Sequence, residues 1–277
     1  MAALDGTESR AALSHPRRMR DVFAFFGLTL LLTTPFYAIS AASGIQLMPG
    51  LPVAALAVTC PAAAALFLSW RRGGMAAALM LLKQTLDFGR IKPRAWWLPI
   101  LFFLPAVSAA SFLILRCNGS GIPDPRINIF TVMALFAVFL VAALSEELGW
   151  TGFALDPLQE RLGALPAALL IGGVSAVWHY PALLDAHRSV GWIAWWTLGT
   201  LALRLLMVWL FNKTGGSVFA VAMVHAVSNL CWQLFPIQGS WFDPRLNGLI
   251  MGAVALVVIL PLSHQRGRRL PRAKASN

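Results

Sequence analysis

Apolar residues run in long unbroken stretches along the chain, each closed by charge, proline or glycine. Eight such stretches stand near residues 21–43, 50–70, 95–115, 128–155, 164–184, 191–211, 217–235 and 246–262. A helix needs roughly 20 largely apolar residues to cross the hydrocarbon core of a bilayer. Segments such as LFFLPAVSAASFLIL and MGAVALVVILPL are apolar on every side. They lack the period-two alternation of a membrane barrel, so helices are the form that satisfies the backbone in lipid. The pattern predicts an all-α polytopic transmembrane bundle of about eight spans. It forms one membrane domain over residues 21–262, between basic tails at 1–20 and 263–277. Residues 74–94 carry too much charge to span, and fit either a helix lying on the inner membrane surface or a solvated loop.

Composition agrees with this reading: 58% of residues are hydrophobic and 12% charged, against roughly 25% charged in soluble domains. The net charge of +11 raises the question of nucleic acid, but the basic residues fall in alternate connections. One set holds Arg10 to Arg20, Arg71 to Arg94, Arg161, Lys213 and the tail from Arg266 to Lys274; the other holds only Arg116, Arg126, Arg188 and Arg245. The positive-inside rule then places both termini in the cytoplasm and requires an even number of crossings. The partner of the basic tails is the anionic lipid bilayer, and no nucleic acid is implied. Three cysteines, Cys60, Cys117 and Cys231, give no disulfide framework. The first apolar run exceeds the 7–15 residues of a secretory signal, so it reads as a retained helix. Trp96, Trp97, Trp192, Trp195 and Trp196 lie near span ends, where aromatic belts form. Rich in Ala, Arg and Trp, the chain suits a bacterial plasma membrane.

Against this background a few polar residues stand out. An ionisable group at mid-bilayer costs on the order of 3 kcal/mol by insertion scales. Among the acids only Glu146 and Glu147 fall inside an apolar run; among the histidines only His179 and His225 do, and among the bases only Arg204 lies deep in one. Cytoplasmic span ends at Leu155, Pro166, Ser217 and Phe211, with a rise of about 1.5 Å per residue, put Glu146 about 13 Å deep, His179 about 19 Å, His225 about 12 Å and Arg204 about 11 Å. A common layer implies one site, opening toward the cytoplasmic half. Residues four apart share a helix face, so His225 pairs with Asn229 and Glu147 with Thr151, whereas Glu146 points about 100° away.

The order EELGWT (Glu146 to Thr151), SAVWH (Ser175 to His179) and HAVSN (His225 to Asn229) resembles the CPBP intramembrane protease family. That family includes the CAAX prenyl endopeptidases and abortive-infection membrane proteins. Its marks are Glu-Glu-x-x-x-Arg, Phe-x-x-x-His and His-x-x-x-Asn/Asp on successive parts of the bundle, and the resemblance covers roughly residues 128–235. Two positions depart from it: Thr151 stands where the family has Arg, and Ser175 where it has an aromatic residue. Without that Arg, Glu147 must either hold a proton or find another cation, and Arg204 in the same layer is the candidate.

The resemblance implies an endopeptidase that cuts a membrane-associated or lipidated peptide or protein. Glu146 and His179 would activate water, His225 and Asn229 would steady the tetrahedral intermediate, and Glu147 with Arg204 would support them. It leaves open whether a zinc ion, held by Glu146, His179 and His225, takes part. Other readings are a pseudoprotease that binds peptides uncut, suggested by Thr151, a proton-coupled transporter, and polar side chains that merely join helices.

Overall fold

The computed structural model describes residues 15–48 and 51–263. Of the two basic tails only residues 15–20 and 263 fall within that range. Helix α1 (His15–Ser43) leads through a two-stranded antiparallel hairpin, β1 (Gln46–Met48) and β2 (Leu51–Pro52), into a 3-10 turn at Val53–Thr59 and helix α2 (Cys60–Leu82). Helices α3 (Trp97–Cys117) and α4 (Ile129–Glu147) follow. A π-helical stretch (Leu148–Leu155) continues α4 directly into α5 (Asp156–Leu162). Then come α6 (Ala164–Asp185), α7 (Val190–Lys213), α8 (Val218–Leu234) and α9 (Pro244–Ser263).

Among the described residues six helical runs are long and apolar enough to cross a membrane, and two shorter apolar helices, Val218–Leu234 and Pro244–Ile259, bring the number to eight. Each coincides with an apolar stretch in the sequence, because such residues leave the backbone no partner in lipid but itself. Helix starts are set by side chains that accept from free backbone amides. Asn128 accepts from Phe130 and Thr131, Ser189 from Trp192, and Ser217 from Ala220.

Residues 74–94 resolve into several pieces. The backbone leaves helical geometry at Gly73 and Gly74, so a second arm of α2 turns away from the span. Short 3-10 turns follow at Lys83–Leu86, Phe88–Arg90 and Arg94–Trp96. Met75, Leu79, Met80, Leu86 and Phe88 face outward while Leu81 is buried. Asp87 fastens this segment to the start of α8, accepting from the Ser217 hydroxyl and from the amides of Val218 and Phe219. One carboxylate thus satisfies a helix N-terminus and complements its dipole.

Within the bundle α7 lies against α6 and α9, and α8 against α3 and α4. The tightest approach is at Gly149. A Cβ there would stand 2.8 Å from the Phe25 ring of α1 and 2.8 Å from the backbone oxygen of Pro61 in α2. Phe25 could turn aside, but the Pro61 carbonyl cannot. Gly149→Ala is therefore expected to cost about 1–3 kcal/mol through overpacking, read as a lower unfolding temperature of the detergent-purified protein.

Candidate functional site

Glu147 ends α4 and is wholly inaccessible. Its carboxylate accepts from Arg204 through two parallel bonds, Nη1 to Oε2 at 2.7 Å and Nη2 to Oε1 at 3.0 Å. Thr151 donates its hydroxyl to Oε2 at 2.5 Å, and His225 donates from Nδ1 to Oε1 at 2.9 Å. Four donors from α7, α8 and the π stretch thus surround one charge. The fork of a guanidinium matches a carboxylate in this bidentate way. Arg204 belongs to α7, and Thr151 spends its small side chain on the same carboxylate.

Glu146, one residue earlier, has a different setting. It is buried, yet no group among the described residues hydrogen-bonds its carboxylate, which lines a cavity of about 110 Å³. His179, Arg204, His225 and Asn229 line the same cavity, as does Ser175. Glu146 is close enough to act electrostatically on both imidazoles. A space of this size holds several waters, since each needs about 10–15 Å³ by the same measure. All six residues singled out in the sequence therefore meet here, five on the cavity wall and Glu147 directly behind it.

The two histidines are held by different means. His179 lies 2.7 Å from the Ser175 carbonyl through Nδ1, which fixes the proton there and leaves Nε2 as an acceptor. Its ring stands edge-on to Trp178 at 4.6 Å and tilted against Trp196 at 5.4 Å. Trp178 is clamped in turn by α1: its Nε1–H donates to Thr33 at 2.8 Å and its carbonyl accepts the Tyr37 hydroxyl. Ser40 donates to Asp185 at the end of α6. These α1 residues were not among the expected site residues. The signal available was their spacing, since Thr29, Thr33, Tyr37 and Ser40 fall on one helix face.

The axis of the cavity differs from the expected one. Its α7 wall runs from Met207 through Arg204 and Thr200 to Trp196, and its α8 wall from His225 to Trp232. It therefore extends from the charged layer away from the Lys213–Ser217 turn. On that turn's side Leu148, Trp150, Leu155, Val218 and Val221 are buried. Helical structure also continues beyond Leu155 to Leu162.

A zinc ion would require several of these ligands to converge. The Nε2 atoms of His179 and His225 and the Glu146 carboxylate are suitable donors, but among the described residues no three His, Cys, Asp or Glu side chains gather closely enough to share an ion.

Residues 128–231 match the family model of type II CAAX prenyl endopeptidase Rce1-like proteins. This span carries all three motifs that bear the cavity residues. Among curated proteins the chain is 29% identical to "CAAX prenyl protease 2" of Methanococcus maripaludis over 176 residues, covering 58% of this chain. The alignment spans 65% of that relative's length. Thr151 stands where the resemblance calls for Arg, and the guanidinium that reaches Glu147 is that of Arg204 on α7.

Removing Arg204 alone would strand the Glu147 charge. Arg204→Met is expected to destabilise by about 3–5 kcal/mol, as for other broken buried pairs. Adding Glu147→Gln should recover part of that loss, and Thr151→Arg should recover more. Thermal unfolding of the four purified proteins checks the order.

Proposed function

We propose that the protein is an intramembrane endopeptidase that hydrolyses a peptide bond in a membrane-associated, lipidated protein, with a water activated by Glu146 and His179. The observation that carries this reading is the contrast between adjacent glutamates. Glu147 is saturated by four donors, while Glu146 faces a cavity with room for several waters together with two imidazoles. A buried carboxylate without protein partners is costly unless it has work to do, and hydrolysis needs such a base.

In the proposed reaction a water held between Glu146 and His179 Nε2 attacks the scissile carbonyl and gives its proton to Glu146. The oxyanion is received by the Asn229 amide and by His225. With Nδ1–H committed to Glu147, His225 offers a second N–H at Nε2 only as imidazolium. That form also balances the two glutamates against Arg204, leaving the cluster neutral in a medium where net charge is expensive. Glu146 then passes its proton to the departing amine. The family model and the name of the archaeal relative support a prenylated protein as substrate, and the apolar helices supply the bilayer in which it is anchored. A plasma-membrane location and cytoplasmic termini belong to the same proposal.

The test is cleavage of farnesylated and unlipidated peptides by protein in detergent. Glu146→Gln is expected to lower the rate by about 10²–10⁴-fold, the usual worth of a general base, with His225→Ala falling similarly and both variants remaining folded. Cleavage that survives both changes overturns the mechanism, and a folded wild type that binds such peptides without cutting them is a pseudoprotease. Dialysis against a chelator is expected to leave the wild-type rate unchanged.

A further inference from the structure

Helix α6 carries His179 on a turn that its own backbone holds incompletely. Pro181 stands inside the helix two residues beyond His179. It has no N–H to give the Val177 carbonyl, and its ring crowds that oxygen. A rung of the ladder is thus missing where the imidazole is aimed, and helices bend at such places. The hydrogen bond between the imidazole and the Ser175 carbonyl lies within the same helix, so it cannot fix α6 against the rest of the bundle.

Helix α1 supplies the missing restraint. The Thr33 hydroxyl gives its proton to the Thr29 carbonyl at 2.7 Å, which leaves its oxygen to accept the Trp178 indole N–H at 2.8 Å. Tyr37 donates to the Trp178 carbonyl, and Ser40 donates to Asp185 at the end of α6. The Thr33–Trp178 and Ser40–Asp185 pairs are each 145 residues apart in the chain, so the two helices run parallel and in register on both sides of Pro181. A slip of one residue, about 1.5 Å, would break both pairs. Trp178 passes this register on, because its ring stands edge-on to His179 at 4.6 Å and is backed by Trp150 at 5.9 Å. Resting on the function proposed above, we infer that Thr33 and Tyr37 are positioning residues of the reaction, which act through Trp178 to hold His179 Nε2 at the attacking water.

Cleavage kinetics of wild type, Thr33→Val, Thr33→Ser and Tyr37→Phe, taken well below the unfolding temperature of each, test the assignment. Thr33→Val keeps the shape of the side chain and removes its oxygen; Tyr37→Phe removes only a hydroxyl. A misplacement of about 1 Å costs up to about 10²-fold, so each is expected to lower kcat about 10- to 100-fold with KM unchanged. Thr33→Ser, which keeps the oxygen, should recover most of the loss. An unaltered kcat beside a lowered unfolding temperature makes the clamp a packing device and overturns the inference, as does a change confined to KM or a loss as large in Thr33→Ser as in Thr33→Val. Should Thr33→Val not fold, Tyr37→Phe decides alone. A second readout needs no substrate: in histidine-labelled wild type the His179 ¹⁵N signals, assigned by their loss in His179→Ala, should show one tautomer protonated at Nδ1. In Tyr37→Phe they should split or broaden, and signals identical to wild type overturn the positioning role. If wild-type protein cuts no peptide, the endopeptidase reading fails, while this spectrum still decides whether α1 positions His179.

Discussion

A single buried carboxylate organises the bundle. Glu147 has no water to solvate it, and an isolated ion in such a place is penalised by several kcal/mol after relaxation. Its charge is tolerated because Arg204, His225 and Thr151 deliver four hydrogen bonds to two oxygens. Arg204 and His225 are equally expensive alone in an apolar helix. The three helices that carry these groups therefore cannot separate without exposing a charge to hydrocarbon. That mutual need fixes the wall of the adjacent cavity more firmly than apolar packing, which in lipid gains little from the hydrophobic effect.

With Glu147 consumed, Glu146 is left for other work. The backbone supplies the division, because successive helical residues point about 100° apart and so cannot share a setting. The π-helical turns that begin at Leu148 widen the helix directly beneath the pair. Such segments are frequent at functional sites, and here the stretch also presents Thr151 to Glu147 and packs Trp150 against Phe25 and Trp178 at 5.2 and 5.9 Å. The cavity extends from the charged layer toward Trp196 and Trp232, away from this packing.

What the sequence revealed and concealed follows from energetic cost. Spans were legible because apolar length is dictated by bilayer thickness, and the ionisable residues were legible because nothing cheap explains them there. The α1 clamp was not, since a Thr or Ser in a membrane helix can bond its own preceding turn, as Thr33 does with Thr29. Its further role with Trp178 leaves no trace in composition. Asp156 and Pro157 close the apolar run in the sequence, while the helix itself runs on to Leu162. The cavity's direction depends on how the helices pack, and no local pattern encodes that.

Thr151 illustrates the difference between a motif and the physics it serves. A motif records a cation one helical turn beyond a glutamate, where it would reach that carboxylate along the same face. The electrostatic requirement is only that a guanidinium meet the carboxylate, and it is indifferent to which helix the cation comes from. Arg204 meets it from α7 with bidentate geometry, and the small Thr151 leaves room for it while adding a donor of its own. Loss of the motif arginine is therefore no argument by itself for lost activity. The charge balance around Glu147 is closed without it, and Glu146 still faces the cavity beside His179 and His225.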